Sequence, residues 1–401
     1  MSNIKAGLPR NKWLNGALPA ILIHGSIGSV YAWSLFVSPI SALCGASAAA
    51  IQFAFSLAIF FLGMSAAFGG AIVERNIKAS SLISMLCFCG GLLLTALAVF
   101  LKCLPLIYLG YGVLMGIGLG IGYITPVKTL MLWFEKQKGL ATGISVCAFG
   151  FASSIASPII TFLSGHLSLA MTFICLSALY AVPMLIAHFL LKKPEGWVEA
   201  RDEENDFKVR SLLEPKFIGI WLIIFLNISC GLAVISTASL ICTELSFKPA
   251  LIATIISVMG IFNGAGRLVF SAISDKFKNR VNIYYIILGL SWIVGFLALS
   301  KNLIIVIIAL ALISACYGAG FSCLPSLLSD IYGMKNISKI HGISLTAWAI
   351  AGLCGNQMAT IFAGITGSYL GIFRLVIVLY AIGLGIVEFL KVKLNCEERD
   401  V

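Results

Sequence analysis

One arginine lies inside an apolar segment of this 401-residue chain, and its side chain is the best placed to do chemistry. Segment 259–280 begins with apolar residues and ends in a charged loop, where Asp275 marks the aqueous end. Arg267 precedes Asp275 by eight residues, so a helix would place it roughly 12 Å deep, within a hydrocarbon half-thickness of about 15 Å. A cation there costs about 3 kcal/mol or more unless it faces a partner, a cavity or an anion. Because a guanidinium offers a planar fork of donors, we expect Arg267 to bind a carboxylate.

The composition sets the class of protein in which this arginine works. The chain is 60% hydrophobic and 11% charged, which indicates a polytopic α-helical membrane protein. A formal charge of +11 invites a nucleic-acid interpretation, but the placement of the basic residues between apolar stretches argues against it. The 12 cysteines form no CxxC motif and no Cys/His metal spacing, and we find no nucleophile–base pair or phosphate loop. We therefore expect no enzyme, no metal and no cofactor.

Twelve apolar stretches are long enough to span a membrane. Ten or eleven spans are the alternative, because some stretches merge across very short loops, and the internal repeat described below favours twelve. They are 13–39, 48–72, 79–101, 104–127, 140–164, 168–191, 217–241, 249–272, 283–300, 302–328, 340–365 and 371–390. One side of the predicted membrane holds 21 of the 27 lysines and arginines, which predicts that both termini are cytoplasmic. The polar stretch 192–216 divides the spans, so we predict six-helix bundles at 1–191 and 217–401 joined by a cytoplasmic linker.

The two halves resemble each other in sequence. Residues 71–75 (AIVER) match residues 272–276 (AISDK) at an offset of 201 (272 − 71). Residues 143–149 (GISVCAF) match residues 342–348 (GISLTAW) at an offset of 199 (342 − 143). Both copies begin in the same orientation, so the repeat predicts two bundles related by an axis along the membrane normal, with a binding site near the midplane.

The first of these matches ends in paired charges at a predicted cytoplasmic helix end. Glu74 and Arg75 follow the second span, and Asp275 and Lys276 follow the eighth, with Arg280 close behind. Such groups can pair with a neighbouring helix and hold one conformation, so we predict a conformational latch. The alternative is ordinary positively charged flanking sequence on the cytoplasmic side.

The second of these loops, 275–280 (DKFKNR), resembles the inter-helix motif of the major facilitator superfamily. A narrower resemblance, to the oxalate:formate antiporter and monocarboxylate transporter families, covers nearly the whole chain. It rests on 31–36 (YAWSLF), 133–143 (WFEKQKGLATG), 262–267 (FNGAGR), 324–326 (LPS) and 329–333 (SDIYG). The resemblance implies a twelve-helix transporter that works by alternating access.

The resemblance also assigns roles to residues of this chain. Arg267 falls on the substrate-carboxylate arginine, and one helical turn earlier Asn263 stands where animal-type monocarboxylate transporters carry an aspartate. The aromatic residues that would enclose the substrate are Tyr31, Tyr123, Phe149, Tyr317 and Phe321. Oxalate exchangers have a second cation, a lysine, where this chain has Trp348. With one buried cation left, we expect a monocarboxylate rather than a dicarboxylate, and Trp348 could stack on it or donate its indole N–H.

Proton coupling has one candidate carrier near the centre of a predicted span. Asn263 cannot carry a proton, and no span centre holds an aspartate or glutamate. His24 lies on one face of the first span with Gly28 and Tyr31, and histidine titrates in the useful pH range. The alternative is a hydrogen-bonded core histidine, in which case anion exchange or binding of the protonated acid would have to suffice. Lys128 and Arg374 lie near span ends and are expected to snorkel, although Lys128 could reach the cavity.

We therefore expect a secondary transporter in the cell inner membrane, functional as a monomer, whose partners are the lipid bilayer, a small organic anion of the lactate, pyruvate or formate type, and a proton or counter-anion. Three alternatives remain open. The first is a carrier for a drug, nucleoside or amino-acid derivative, in which Arg267 only braces its helix. The second is an oxalate-type dicarboxylate exchanger, and the third is a transporter-like sensor.

Overall fold

A computed structural model describes residues 11–69, 72–73, 76–134, 138–195, 212–332 and 337–397. These residues form helices and short connections, with no β-strand among them. An all-helical chain is expected for so apolar a sequence, because helices satisfy their backbone hydrogen bonds internally where lipid offers none.

We number the helical segments α1 to α12. They are α1 (Trp13–Ala32 and Ser34–Cys44), α2 (Ala48–Phe68), α3 (Ile77–Phe100), α4 (Leu104–Ile107, Tyr108–Met115 and Gly116–Trp133), α5 (Lys138–His166), α6 (Leu169–Leu190), α7 (Pro215–Glu244), α8 (Pro249–Ser274), α9 (Asn282–Ala298), α10 (Leu303–Tyr332), α11 (Ile337–Ser344 and Thr346–Thr366) and α12 (Ile372–Glu397). Within the described residues, ten of these segments are long and apolar enough to cross a membrane, or eleven when bent α1 counts as one. The exception is α9, which has 17 residues. The predicted twelfth span therefore remains a prediction.

Short polar caps specify where several of these helices begin. The side chains of Ser47, Asn76 and Ser168 accept hydrogen bonds from backbone N–H groups in the first turns of α2, α3 and α6. Each satisfies donors that have no partner within the helix. Gly45 and Gly367 end α1 and α11 in the left-handed conformation that glycine adopts without a Cβ clash.

The first helix bends by 52° where Trp13–Ala32 meets Ser34–Cys44. Residues Gly28–Ala32 form a 3₁₀ turn just before the bend. A 3₁₀ turn replaces the i to i−4 hydrogen bonds with shorter ones and so interrupts the α-helical ladder, which allows the axis to change direction. The bend matters for the site because Tyr31 lies in this 3₁₀ turn. The direction of the Tyr31 side chain therefore depends on the bend.

Two helix pairs join the halves of the molecule: α2 packs against α11, and α5 packs against α8. A Cβ atom added to Gly63 would lie 2.5 Å from the backbone nitrogen of Ala349, and one added to Gly150 would lie 2.7 Å from the Cα of Gly264. These two contacts are equivalent under the sequence repeat. Gly63 of one contact and Gly264 of the other are 201 positions apart (264 − 63), and Gly150 and Ala349 are 199 positions apart (349 − 150), which are the offsets of the two sequence matches. Glycine at these points therefore lets equivalent helices approach closely on both sides of the molecule.

Candidate substrate site

Arg267 lies on α8 with a side chain that is 0% exposed. Its Nε donates a 2.9 Å hydrogen bond to Oδ1 of Asn263, one helical turn earlier. Its Nη1 and Nη2 atoms make no hydrogen bond to the described residues, although the Tyr31 hydroxyl lies close to the guanidinium. A buried cation without a counter-charge is costly. The two Nη atoms are therefore an unfilled donor fork at the centre of the molecule.

Six aromatic side chains, which we name the aromatic cage, surround this fork. They are Tyr31, Tyr123 and Phe149 from α1, α4 and α5, and Tyr317, Phe321 and Trp348 from α10 and α11. No cage residue is more than 3% exposed. The Cζ of Arg267 lies 5.3 Å from the ring centroid of Phe321 and 5.8 Å from that of Phe149. Both distances are within cation–π range, so the rings hold the cation while leaving its Nη donors unpaired.

The cage is closed by a contact between the two halves of the chain. The hydroxyls of Tyr31 and Tyr317 lie 2.8 Å apart. One hydroxyl donates to the other, which leaves one hydroxyl proton available to a ligand. Every cage residue is buried, so the site is occluded from solvent in this conformation.

The site offers unpaired donors and, among the described residues, no acidic side chain to meet them. Besides the fork of Arg267, the indole Nε1–H of Trp348 makes no hydrogen bond to the described residues, although the Tyr317 hydroxyl lies close to it. Within the described residues no aspartate or glutamate pairs with Arg267, and the side-chain oxygen of Asn263 is already used. Buried donors without partners favour a ligand that brings acceptor oxygens. The arrangement is suited to an anion.

His24 lies behind the cage, against Tyr123 and Phe149, with ring centroids 5.3 Å and 5.9 Å away. It is 0% exposed. Its Nδ1 lies 2.6 Å from the carbonyl oxygen of Ser145, and its Nε2 lies 3.1 Å from the carbonyl oxygen of Tyr123. The histidine thus connects α1 with α4 and α5. The Phe149 ring contacts both His24 and the Arg267 guanidinium.

Polar contacts join the halves at the end predicted to face outward. They are Ser239 Oγ to Ser34 O at 2.6 Å, Thr360 Oγ1 to Gln52 Oε1 at 2.7 Å, Gln357 Nε2 to Ser56 Oγ at 3.3 Å and Gln52 Nε2 to Ser236 O at 3.4 Å. Between these contacts and Arg267 lies a cavity of about 10 Å³, lined by Tyr31, Ser153 and Asn263 among others. That volume holds about one water molecule, so within the described residues this cavity gives no room for a substrate to pass.

The predicted latch is seen in its second copy only. Arg280 pairs with Asp275 at 2.5 Å and with Asp330, at the end of α10, at 2.6 Å. Burial lowers the pKa of Arg280, but the hydrogen bond to Asp275 and the charge of Asp330 outweigh it and raise the pKa. Lys276 is exposed and makes no ion pair within the described residues. Glu74 and Arg75 of the first copy lie outside the described residues.

Two further cations, Lys128 and Arg374, lie near the ends of predicted spans. Arg374 is exposed near the start of α12, in keeping with snorkelling. The side chain of Lys128 lies outside the described part of the chain. The described acids of the helix ends have local partners: Glu244 accepts from Tyr369 N at 2.7 Å, and Glu388 accepts from the Tyr285 hydroxyl.

A scan against protein-family models decides the family. The model of the Major Facilitator Superfamily matches residues 18–356. The chain belongs to the Major Facilitator Superfamily. It is therefore a multi-pass membrane transporter, not an enzyme, and the described residues hold no group of side chains that could bind a metal ion.

Relatives and solved structures agree with this assignment. The oxalate:formate antiporter of Oxalobacter formigenes is 25% identical over 89% of this chain and 86% of its own. Monocarboxylate transporter 12 of Xenopus laevis is 26% identical over 71% of this chain and 68% of its own. The xylose transporter XylE of E. coli, in a partially occluded inward-open conformation, matches with a TM-score of 0.70 at 15% identity, covering 93% of this chain and 95% of its own. The last comparison shows the fold alone.

Sequence reasoning missed three features of the site. Asp330 was noted in a motif but not as the second partner of Arg280. Ser145 and the Tyr123 carbonyl were not connected with His24, since backbone acceptors leave no mark in a sequence. The outer polar contacts were also missed, although buried glutamines such as Gln52 in an apolar span are a signal that could have found them.

Proposed function

We propose that this chain is a secondary transporter that moves a small monocarboxylate of the lactate, pyruvate or formate type. The observation that supports this is the unfilled donor fork of Arg267 inside a closed cage with no acidic partner. A carboxylate matches a guanidinium fork with two parallel hydrogen bonds and cancels its charge. The cage residues come from both halves of the chain, so rocking of the halves would expose a bound anion to each side in turn.

One buried cation favours one carboxylate. Trp348 occupies the position where the resemblance to oxalate exchangers implies a lysine, and its neutral N–H offers a hydrogen bond without a charge. A second carboxylate would be buried without a counter-charge. The oxalate-type dicarboxylate exchanger remains the alternative that the Oxalobacter formigenes relative supports.

A carrier for an unrelated molecule, such as a drug, nucleoside or amino-acid derivative, is the second alternative. In that case the bond from Arg267 to Asn263 would serve only to brace α8. This account leaves both Nη atoms of a buried cation unexplained, which is why we favour anion binding. A transporter-like sensor is supported by no contact that the structure describes.

The proposal includes the cellular arrangement. We place the protein in the cell inner membrane as a monomer, with twelve spans, two six-helix bundles at 1–191 and 217–401, a linker at 192–216 and both termini in the cytoplasm. Transport is coupled to a proton or to exchange of a counter-anion.

Uptake into proteoliposomes tests the proposal. Labelled lactate, pyruvate, formate and oxalate would be offered to wild type, to Arg267→Ala and to Arg374→Ala, a control that removes an exposed cation away from the cage. We expect saturable monocarboxylate uptake in wild type and the control and none in Arg267→Ala. Stronger uptake of oxalate would favour the dicarboxylate exchanger. Absence of uptake of any carboxylate by folded protein would overturn the proposed substrate class.

A further inference from the structure

The hydrogen bonds of His24 suit a charged ring better than a neutral one. Both ring nitrogens face backbone carbonyl oxygens, that of Ser145 at 2.6 Å and that of Tyr123 at 3.1 Å. A carbonyl oxygen only accepts, and a neutral imidazole has only one N–H. In either neutral tautomer, one ring nitrogen therefore turns a lone pair towards a carbonyl oxygen. An imidazolium would donate to both carbonyls. The Ser145 hydroxyl, 2.9 Å from Nδ1, can donate to a neutral ring that carries its proton on Nε2, but that tautomer still turns the Nδ1 lone pair towards the Ser145 carbonyl oxygen at 2.6 Å.

The surroundings of His24 oppose that charge as long as the site is empty. The ring is fully buried. Helix α4 presents Tyr123 and α5 presents Ser145, neither of which carries a charge. The charged group that acts on His24 within the described residues is Arg267 of α8, which disfavours a second positive charge. The Phe149 ring lies between the two, 5.9 Å from the His24 ring centroid and 5.8 Å from the Arg267 Cζ. Repulsion between two cations that are both buried is weakly screened.

Burial of the ring is the larger part of this opposition, and a carboxylate on Arg267 would remove the part that comes from the guanidinium charge. Once the anion neutralises the guanidinium, the two carbonyls can hold an imidazolium without a nearby uncompensated cation. By linkage, a proton on His24 would strengthen anion binding by the same factor. We propose that His24 is the proton site of this transporter, so that one proton and one monocarboxylate are bound and carried together. This inference rests on the proposed function and decides in favour of symport.

The charge balance of the transport cycle supports the pairing. The empty site carries one positive charge, that of Arg267. A site loaded with one carboxylate and one proton also carries one positive charge, whereas a site loaded with the anion alone carries none. The empty and symport-loaded sites therefore carry the same net charge when the halves rock through the occluded state. The proton enters from water as an N–H bond of the imidazole and leaves to water on the other side, with no other bond made or broken.

Proton uptake on binding is the direct test. Lactate would be added to purified protein in weakly buffered solution with a pH indicator, and bound lactate would be measured in parallel. We expect about one proton taken up per anion bound in wild type and none in His24→Gln. Over the range in which the free histidine is neutral, lactate affinity should rise about tenfold for each unit by which the pH falls. Lactate binding by wild type without proton uptake would overturn the inference and leave the proposed function standing.

Transport gives a second readout with a matched control. In proteoliposomes, an inwardly directed proton gradient should drive lactate accumulation in wild type and in His188→Gln. His188 is hydrogen-bonded to Ser81 on the far side of the same half. In His24→Gln we expect accumulation to fall more than tenfold and lactate counterflow to become independent of pH.

Gradient-driven accumulation by His24→Gln would contradict the inference. Absence of binding of lactate, pyruvate and formate to folded wild type would overturn the proposed function and this inference with it. If His24→Gln does not fold, the proton count of wild type decides.

Discussion

At the scale of single residues, the site is defined by which hydrogen-bond donors are left over. Asn263 accepts from Nε of Arg267 and so fixes the direction of the guanidinium, while both Nη atoms remain unpaired. Trp348 adds one neutral donor to the same chamber. This chemistry explains why we expect one carboxylate, and it identifies Trp348 as the position at which substrate charge can be tested.

A second cation at this position should change the substrate. We expect Trp348→Lys to raise oxalate uptake relative to lactate uptake about tenfold or more, because a charge-assisted hydrogen bond contributes about 1.5–3 kcal/mol and 1.4 kcal/mol is tenfold. Competition between the two labelled anions in proteoliposomes measures the ratio. Trp348→Gln is the control, since it opens the cage without adding charge. An equal gain in the control would show that space, not charge, sets the preference.

Part of this site could be predicted from the sequence. Arg267 and Asn263 could be paired from their spacing alone, because residues four apart share one face of a helix. The six cage aromatics come from five helices, and only the resemblance to known transporters connected them before the structure did. The acceptors of His24 are backbone carbonyls, which have no residue type, so the sequence could name the histidine but not its partners.

At the scale of helices, glycines set the distance between the halves. A Cβ at Gly150 would lie 2.7 Å from backbone atoms of Gly264. Because backbone atoms cannot rotate away as a side chain can, α5 and α8 would have to move apart. A Cβ at Gly143, about two turns earlier on the same face of α5, would meet only Leu268 at 3.6 Å, an ordinary contact.

We therefore expect Gly150→Ala to destabilise the protein by about 1–3 kcal/mol, the usual effect of overpacking, and to slow transport. Gly143→Ala should behave as wild type. Thermal unfolding and lactate uptake would be measured side by side for both variants. Unchanged uptake in Gly150→Ala would mean that α5 and α8 need not approach this closely during the cycle.

The charged cluster at the end of α8 also acts at this scale. Arg280 ties the loop after α8 to Asp330 of α10, within one half of the molecule. Because exposed ion pairs contribute about 0–1 kcal/mol, Arg280→Gln should leave the fold intact.

We expect Arg280→Gln to reduce lactate uptake several-fold by loosening the ends of α8 and α10, which carry Arg267 and two cage residues. Lys276→Gln, which removes an exposed cation without an ion pair among the described residues, is the control. Initial uptake rates normalised to inserted protein give the comparison. Equal rates in the two variants would reduce the cluster to ordinary flanking charge.

At the scale of the whole molecule, the structure is occluded, with polar contacts closing the predicted outer end. Gln52 on α2 reaches Ser236 on α7 and Thr360 on α11, so one side chain spans both halves. Alternating access requires these contacts to break whenever the site opens outward.

Removing the amide should favour opening on that side. We expect Gln52→Leu to speed the reaction of a cysteine placed at Ser239 with a membrane-impermeant thiol reagent, in a background without the native cysteines. Thr254→Val is the control, because the Thr254 hydroxyl bonds only to the Ala250 carbonyl of its own helix. The same labelling rate in Gln52→Leu and the parent protein would show that these contacts do not hold the outer end closed.

The sequence repeat predicted that the two halves are related by an axis along the membrane normal. It did not predict the hydrogen bonds between the halves. Offsets of 201 and 199, found in two short matches, reappear in the glycine contacts of α2 with α11 and α5 with α8. Two partners of Gln52, Ser236 and Thr360, are 184 and 308 positions away, and nothing in these segments specifies the pairing. Span number shows the same limit, because α9 has only 17 residues in helical conformation, fewer than its apolar stretch suggests.

The thermal stability of purified protein with different ligands tests the central claim most directly. A ligand at 100 times its dissociation constant stabilises the native state by about 2.7 kcal/mol. Lactate, pyruvate, formate, oxalate and the neutral sugar xylose would be compared on wild type and Arg267→Ala. We predict a higher melting temperature with monocarboxylates on wild type, and no such shift on Arg267→Ala. A shift with xylose alone, or the same shift with both proteins, would contradict a monocarboxylate site at Arg267.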